Sequence, residues 1–410
     1  MNQRIFLIIA MAFVFVTCQN RKNSVKVVIT NPSATRLENQ TIEINDPATL
    51  EQLSLMLPGL SIQDDGVEVP FQVVTENEEP AKILVLSSLD PGQTKTLKMT
   101  SSDVPVKFDA MTQAEISVKE GGEWVWVTKN NGNEQYEYQG GNWKNVSELE
   151  VPEQHTDHSF DIRYEGPGWE SDKIGYRFYL DWRNAVDIFG KKVDTLVLQS
   201  VGLDGFDSYH EMCDWGVDVL KVGNSLGIGS IAYWDGGKAN RIEKTGKLYS
   251  RVDYSGVLES KLTTVYSSWE TAEGETDLTA KLLIRAGSYL TKTELELSNS
   301  LENLCTGIVK HENAVLVDME EEGDWACLAT FGVQTLQDHN LGMAVFYKKA
   351  DLIEITEDEL SEVVVLKPTD NKLTYYFGAA WELDESGVKT EADFRKFIDR
   401  QLGLLNHGLL

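Results

Sequence analysis

The sequence predicts an all-β protein built from antiparallel sheets, and three observations lead to that fold class. Short segments in which apolar and polar residues alternate recur from Ser24 onward, and this is the period of a half-buried strand. Residues that tolerate positive φ separate these segments, at Asp90-Pro91-Gly92, Asn131-Gly132, Gly140-Gly141 and Asp235-Gly236-Gly237. Helical periodicity is scarce. We therefore expect antiparallel β-sandwiches with few helices rather than strand–helix–strand units.

The first residues have the pattern of an export signal. Arg4 precedes an apolar run over residues 5–16, which is too short to span a bilayer. Cys18 follows this run directly, as the lipid-attachment cysteine does in a bacterial lipoprotein. We expect residues 1–17 to be a signal peptide and residues 18–24 a lipidated tether, which anchors the protein to a membrane without spanning it. A plain secretory signal is the alternative.

Residues 19–22 contain no acidic run, which favours the periplasm, on the outer membrane, as the location. The formal net charge of −28 argues against nucleic acid as a partner, because phosphate is bound by dense Lys and Arg. An anionic sugar therefore needs a local basic pocket. Besides Cys18, only Cys213, Cys305 and Cys327 are present, so disulfides do not build the fold and no zinc spacing occurs.

Strand-like alternation defines the expected elements in order. They include the segments around Val25, Val27 and Ile29, around Ile83, Val85 and Leu89, and over residues 262–266, 278–284 and 293–297. Ser101-Ser102-Asp103 suggests a boundary between an N-terminal β-sandwich unit, residues 25–105, and a larger β-sandwich domain, residues 106–410, that bears the site.

One helix is expected over residues 390–402. Thr390 is its N-cap with Asp393 three residues later, and Gly403 is expected to end it. The residues of its apolar face are Phe394, Phe397, Ile398 and Leu402.

Residues 166–229 concentrate aromatic, charged and glycine residues more densely than any other window. Residues 174–180 alternate as a strand, which places Arg177, Tyr179 and Asp181 on one face. That face is either one wall of a polar groove or a solvated outer surface.

A second dense piece follows from Tyr209 to Lys221. His210 is the candidate acid or base, because its ordinary pKa lies near neutral pH. Asp214 either orients His210 or joins it in a metal site with the distant His311; a structural histidine is the alternative. Lys221 stands among apolar neighbours, so its ammonium either points outward or serves an anionic ligand.

Three other features leave alternatives open. Carboxylates are frequent enough to form a glycosidase acid and nucleophile, namely Asp181, Asp187, Glu211, Asp214 and Asp218. Trp124, Trp126, Trp143 and Trp169 are either sugar platforms or, as we expect for most of them, core. Residues 223–229 lack the end of a phosphate-binding loop, and we interpret them as a turn approaching a ligand or a neighbouring strand.

Several long segments resemble one known family. WESDKIGYRFYLDWRNAVDIFGKK, YHEMCDWGVDVLKVGNSLGIG, VKVVITNPSATRLENQTIEI and VKTEADFRKFI are similar to the domain-of-unknown-function 4861 family of Bacteroidota lipoproteins. That family includes a dehydratase acting on the non-reducing uronate of ulvan oligosaccharides. The resemblance implies a β-sandwich joined to a larger supersandwich like those of carbohydrate mutarotases and lyases. It implies loss of water across C4–C5.

Such a dehydratase needs charge neutralisation, a base and an acid. Our hypothesis assigns Arg177 and Lys221 to the substrate carboxylate, His210 as base, and Tyr179 or Tyr209 as acid. Strand alternation would put Tyr209 and His210 on opposite faces, leaving one outside the site. The residues expected to contact the sugar are Trp169, Asp181, Arg183, Asp214, Trp215 and Asp218.

No cofactor is predicted, and a divalent metal remains open. The predicted partner is a uronate-containing oligosaccharide. The alternatives are a glycoside hydrolase that uses a carboxylate pair and a non-catalytic glycan-binding lipoprotein.

Overall fold

The computed structural model describes residues 24–57, 59–206, 208–320 and 322–410, and these form the expected all-β fold. Strands make up 52% of the structure and helices 9%, with two α-helices. The expected signal peptide, Cys18 and the tether up to residue 23 lie outside the described residues. None of the described helices combines the length and apolarity needed to cross a bilayer.

The described chain divides into two compact units. Unit 1 runs to Asp109 and also contains Gly403–Leu410, and unit 2 is Ala110–Leu402. The division at Asp109 lies close to the expected boundary. The return of the last eight residues to unit 1 differs from the single C-terminal domain, residues 106–410, that we expected.

Unit 1 is a β-sandwich of a four-stranded sheet, β1-β7-β3-β4, and a three-stranded sheet, β2-β6-β5. Its elements are β1 (Ser24–Thr30), β2 (Leu37–Ile44), α1 (Pro47–Ser54), β3 (Leu60–Asp64), β4 (Val67–Glu68), β5 (Phe71–Glu76), β6 (Glu79–Leu89) and β7 (Thr94–Ser101). Val27 from the first sheet and Val85 from the second are fully buried in one shared core. The alternation in β1 and β6 therefore marks the inner faces, as predicted.

Unit 2 contains all the remaining strands. They are β8 (Thr112–Thr128), β9 (Glu134–Val146), β10 (Glu148–Glu150), β11 (Gly168–Ser171), β12 (Gly175–Phe178), β13 (Val186–Lys191), β14 (Gly216–Asp218), β15 (Ala232–Asp235), β16 (Lys238–Arg241), β17 (Lys247–Tyr254), β18 (Glu259–Thr271), β19 (Gly274–Arg285), β20 (Leu290–Leu297), β21 (Leu304–Val309), β22 (Ala314–Leu316), β23 (Trp325–Val333), β24 (Asn340–Lys348), β25 (Leu352–Glu357), β26 (Ser361–Leu366) and β27 (Lys372–Trp381).

Three antiparallel sheets of unit 2 share one large apolar core. The sheet orders are β10-β17-β18-β19-β20-β27-β24-β23-β22, β14-β13-β12-β11-β8-β9 and β16-β15-β21-β26-β25. The predicted strands over residues 262–266, 278–284 and 293–297 are confirmed within β18, β19 and β20. The six-stranded sheet carries the residues of the dense window.

The predicted turns are confirmed at two of the three glycine-containing positions in unit 2. Gly132 (φ +84°) lies in the β8–β9 turn, and Gly236 and Gly237 connect β15 to β16 with positive φ. The prediction was wrong at Gly140-Gly141, which lie inside β9 opposite Gly122. Both glycines have positive φ there, so they bend the long hairpin instead of ending a strand.

The second helix, α2, extends over Glu391–Asn406. Thr390 is its N-cap, since its hydroxyl accepts from Asp393 N–H at 3.2 Å. The expected stop at Gly403 was wrong, because buried Leu404 and Leu405 continue the apolar face. The helix ends at Asn406 and is capped by Gly408 (φ +66°), where Leu409 N–H donates to the Leu404 carbonyl at 2.9 Å.

Candidate active site

One face of the six-stranded sheet carries a row of charged residues. Residues directly opposite each other in neighbouring strands share a face, and the register pairs Gly168 of β11 with Arg177 of β12 and Arg177 with Asp187 of β13. Asp218 of β14 is opposite Phe189, two residues after Asp187 and so on the same face. The local sequence thus brings Arg177, Asp187 and Asp218 together.

This face is covered, so of the two alternatives for it the solvated outer surface was wrong. The segment from β13 to β14 packs Leu198 and Tyr209 against Phe189, while Ile174, Tyr176 and Phe178 belong to the core beneath the sheet. Charged residues on β12 are therefore buried between two apolar layers. Burial without partners is costly for charge, which explains the dense pairing that follows.

Arg177 is the hub of the row. Its Nε and Nη2 donate to Asp187 Oδ2 at 3.1 and 2.8 Å, Nη2 also donates to Asp218 Oδ2 at 2.5 Å, and Nη1 donates to the Tyr209 hydroxyl at 3.1 Å. The Tyr179 hydroxyl donates to Asp187 Oδ2 at 2.5 Å. Because its donors are already satisfied by the protein, Arg177 positions the carboxylates rather than presenting a free cation.

His210 lies at the exposed edge of this row. It belongs to a 3₁₀-helix, Ser208–His210, so the strand alternation that we expected at Tyr209 and His210 was wrong. Both rings lie in the same cluster, with their centroids 4.5 Å apart. Tyr209 is buried, whereas the His210 side chain is 30% exposed.

The hydrogen bonding of His210 fixes its neutral tautomer. Nδ1 lies 2.9 Å from the Phe206 carbonyl, and a carbonyl only accepts, so Nδ1 carries the proton. Nε2 is then the basic nitrogen, and it lies 3.4 Å from Asp218 Oδ2. Burial raises the pKa of Asp218 well above its usual range, and the nearby Asp187 and Glu165 add to this, although Arg177 opposes it. A basic ring nitrogen thus lies beside a carboxyl group that favours its protonated form.

The two phenols are held neutral. Burial raises the pKa of Tyr179 and of Tyr209 above the ordinary value, and in both cases the charge of Arg177 opposes the effect. Tyr179 already donates its proton to Asp187. Tyr179 therefore supports the buried Asp187 directly, and Tyr209 supports Arg177.

A second arginine extends the cluster. Arg183 stacks on Tyr179, 3.8 Å from the ring centroid, and pairs with the buried Asp181. Its Nη1 lies 3.0 Å from Asp157 Oδ1, and its Nη2 lies 2.9 Å from Glu165 Oε1. We call the seven residues of this connected set the arginine network: Asp157, Glu165, Arg177, Asp181, Arg183, Asp187 and Asp218.

His158 is a candidate site residue that sequence reasoning missed. Its Nδ1 bonds Asp157 Oδ1 at 2.5 Å, its backbone N–H donates to Glu165 Oε1 at 2.9 Å, and its side chain is 40% exposed. The Asp157 hydrogen bond raises the pKa of His158, and burial opposes this. The same contact, with Arg183, lowers the pKa of Asp157 to about 2 despite its partial burial. The signal was present in QHTDHSFDIRYE, which lies immediately before Gly166.

Strained backbone concentrates in that segment. Four non-glycine residues have positive φ within eight positions: His158 (+58°), Phe160 (+61°), Tyr164 (+39°) and Glu165 (+70°). Such conformations persist only where surrounding contacts enforce them, and they cluster at functional sites.

Metal binding was left open, with His210, Asp214 and His311 as the residues considered. The structure brings a different set of possible ligands together. Asp157, His158 and Glu165 offer ligand atoms within 4.8 Å of one another. The Arg183 guanidinium already forms ion pairs with both carboxylates, so a positive charge is present beside this group. His210 faces Asp218 instead of Asp214, and the exposed His311 accepts from Asn313 N–H.

The remaining expected contact residues lie elsewhere. Lys221 is exposed, and no hydrogen bond or ion pair joins its ammonium to a described residue. Asp214 is likewise exposed, and Trp215 packs edge-on against Phe189. Trp169 is buried and donates to Thr291 Oγ1 at 2.8 Å, so it is core rather than a sugar platform.

The three tryptophans of the β8–β9 hairpin were expected mainly in the core, and this was wrong. Trp126 is 68% exposed and Trp124 and Trp143 are half-buried. Tyr136 contacts both Trp124 and Trp126, with ring centroids 5.2 and 5.0 Å apart.

Residues 223–229 approach neighbouring strands. A Cβ on Gly229 would lie 2.2 Å from the Phe377 ring, and a Cβ on Gly227 would lie 2.1 Å from the Val186 carbonyl oxygen. Of the two explanations offered by the sequence, approach to a ligand or to a neighbouring strand, the structure shows this turn approaching neighbouring strands of the core.

Comparisons with solved structures give distant likenesses. Two Enterococcus faecalis proteins, a member of glycosyl hydrolase family 38 and an alpha-mannosidase, are each 10% identical with a TM-score of 0.42, over 92% and 93% of this chain. This chain spans 46% and 44% of theirs. An aldose 1-epimerase candidate from Klebsiella pneumoniae is 8% identical with a TM-score of 0.32, over 70% of this chain and 95% of that one. Likenesses of this size carry no conclusion about substrate or reaction.

A comparison with curated proteins finds no match. The family described as a domain of unknown function, DUF4861, matches residues 29–409. That range is nearly the whole chain, and the protein therefore belongs to the DUF4861 family.

Proposed function

We propose that the protein is an exported carbohydrate-active enzyme, a carbon–oxygen lyase that removes water across C4–C5 of a uronate at the non-reducing end of an oligosaccharide. The observation that carries this proposal is His210. Its Nδ1 is tied to the Phe206 carbonyl, its Nε2 faces Asp218, and its ring is partly exposed above a buried ion network. Family membership supports the choice of reaction, since the family resembled in the sequence includes a dehydratase.

The C5 proton of a uronate is acidified by the adjacent carboxylate, and a neutral imidazole is a suitable base for it near neutral pH. Asp218 supports this role by position. Its Oδ2 lies 3.4 Å from Nε2 and is held in the network by Arg177, so it keeps the imidazole ring oriented. Arg177 and the Tyr179 phenol hold the carboxylates in place, and Tyr209 accepts a hydrogen bond from Arg177. We therefore assign these three residues positioning roles instead of the direct substrate roles expected for them.

The test uses oligosaccharides that end in a saturated uronate. Ultraviolet absorbance of the new C4=C5 bond conjugated to the carboxylate is followed together with mass spectrometry. The proposal expects loss of one water without chain shortening, and a loss of about 100-fold or more in kcat for His210→Ala. New reducing ends with chain shortening would support a glycoside hydrolase instead, and a His210→Ala protein as active as the parent would remove His210 from the mechanism.

A second candidate function is glycan binding without catalysis, and the exposed ring stack of Trp124, Tyr136 and Trp126 favours it. Aromatic faces of this kind supply large, rigid contact area. The same experiment separates the two, since oligosaccharide binding that Trp126→Ala weakens, with no change in ligand mass for the parent, would support binding alone.

A further inference from the structure

We propose that His158 is a second proton-transfer residue of the same site: it protonates the departing C4 oxygen while His210 accepts the C5 proton. The inference rests on the proposed dehydration, and it supplies the acid that Tyr179 and Tyr209 do not.

The two histidines open onto one surface. The His158 and His210 rings both contact Phe206, with centroid distances of 4.3 and 4.7 Å. Both side chains are partly exposed, at 40% and 30%. Phe206 therefore lies between two partly exposed imidazoles, and the proposal places the sugar ring against both of them.

The surroundings of the two rings favour different protonation states, namely an imidazolium for His158 and a neutral imidazole for His210. The hydrogen bond to Asp157 and the charges of Asp157 and Glu165 raise the pKa of His158, and they outweigh burial and the Arg183 guanidinium, which lower it, so the imidazolium is favoured. Its Nδ1–H is directed to Asp157. Its Nε2 has no hydrogen bond to any residue that the structure describes, which leaves that N–H available to a ligand. His210, by contrast, gives its Nδ1 proton to a carbonyl and faces Asp218 with its basic nitrogen.

Further contacts fix the backbone around His158 and connect the carboxylates that face the two histidines. The Asp157 and His158 carbonyls accept from Gln135 Nε2 of β9 at 2.8 and 2.9 Å. Beyond these contacts, Lys129 lies over the Phe160 ring and pairs with Glu137. The arginine network then connects the carboxylate behind His158 to the one behind His210 through Arg183, Glu165 and Arg177.

The proposed step balances without a further reactant. His210 Nε2 takes the C5 proton, and the C5–H electron pair becomes the C4=C5 double bond. The C4–O bond breaks, its electron pair leaves with the oxygen, and His158 Nε2–H supplies the proton that makes water. His210 then releases its proton to solvent and His158 regains one, so the net change is loss of one water.

The experiment compares His158→Gln, His210→Gln and the matched control His311→Gln, whose exposed ring lies outside the site. The substrate is a disaccharide that ends in a saturated glucuronate. We expect kcat to fall about 100-fold or more in either site variant and to stay within twofold in the control. In the parent, kcat/KM should rise with pH as His210 loses its proton and fall as His158 loses its own. His158→Gln should lose the alkaline fall.

Imidazole ¹⁵N NMR gives a readout that does not need turnover. We expect the His158 and His210 signals, identified by their loss in each variant, to shift on addition of D-glucuronate, while the His311 signal does not. If the parent turns over and His158→Gln keeps kcat and both pH limbs, the inference is overturned and the lyase stands. If the parent does not turn over but both signals shift together, the lyase fails and the paired-histidine site is supported. If only the His210 signal shifts, or neither does, the pairing is wrong.

Discussion

Replacement of Arg177 by Met removes the guanidinium that pairs with the buried side chains of Asp187 and Asp218. In the folded protein both carboxylates are almost fully buried, and each accepts a hydrogen bond from Arg177. Removing one partner of a buried ion pair typically lowers stability by about 3–5 kcal/mol, because a charge is left without compensation. We expect a loss of that size in the free energy of unfolding at pH 7.5.

The sign of the pH dependence follows from the same contacts. Burial raises the pKa of Asp218 and Arg177 opposes this, so without Arg177 the folded Asp218 takes up a proton still more readily than in the unfolded chain, and the deficit should shrink as the pH is lowered to 5.5. Urea denaturation followed by circular dichroism at both pH values measures this. Arg251→Met is the control, since the Arg251 side chain is 50% exposed and its pair with Asp253 should contribute within about 1 kcal/mol. A deficit below about 1 kcal/mol for Arg177→Met, or one independent of pH, would refute the reasoning.

Two further predictions concern stability. Burial raises the pKa of Asp384 to about 6, so the stability gained by protonating it is complete below about pH 4 and is lost as pH rises through 6. Asp384→Asn should remove about 3 kcal/mol of that dependence in unfolding curves from pH 4 to 7.5, and an unchanged curve would contradict the shift. Gly229→Ala should destabilise more than Gly236→Ala by about 1–3 kcal/mol in thermal unfolding, because both have positive φ but only Gly229 contacts Phe377. Equal losses of stability would show that the Phe377 ring moves to accommodate the added methyl group.

The sequence was sufficient where local patterns decide the structure. Alternation located β12 and put Arg177 and Tyr179 on one face, where Arg177 stacks 4.8 Å from the Tyr179 ring. Glycine chemistry located the β15–β16 turn at Gly236 and Gly237. Such features depend on period and on φ, which neighbouring residues reveal.

The sequence was insufficient where distant segments decide. Whether the face of Arg177 meets solvent depends on the segment that covers it, and nothing local to β12 reports that packing. The same holds for His158, which reaches the site through Phe206, a contact between residues far apart in sequence. For His210, a single turn of 3₁₀-helix replaced the expected strand and brought Tyr209 and His210 to the same side.

The left-handed backbone at His158, Phe160, Tyr164 and Glu165 limits how this protein can be improved. Each such residue stores about 1–3 kcal/mol that glycine or asparagine would release. A screen for thermostable variants will therefore select substitutions in this loop, which also positions the His158 imidazole and its partner Asp157. Selection for heat resistance alone should recover proteins in which the proposed role of His158 is impaired, so stabilising substitutions are better directed to unit 1.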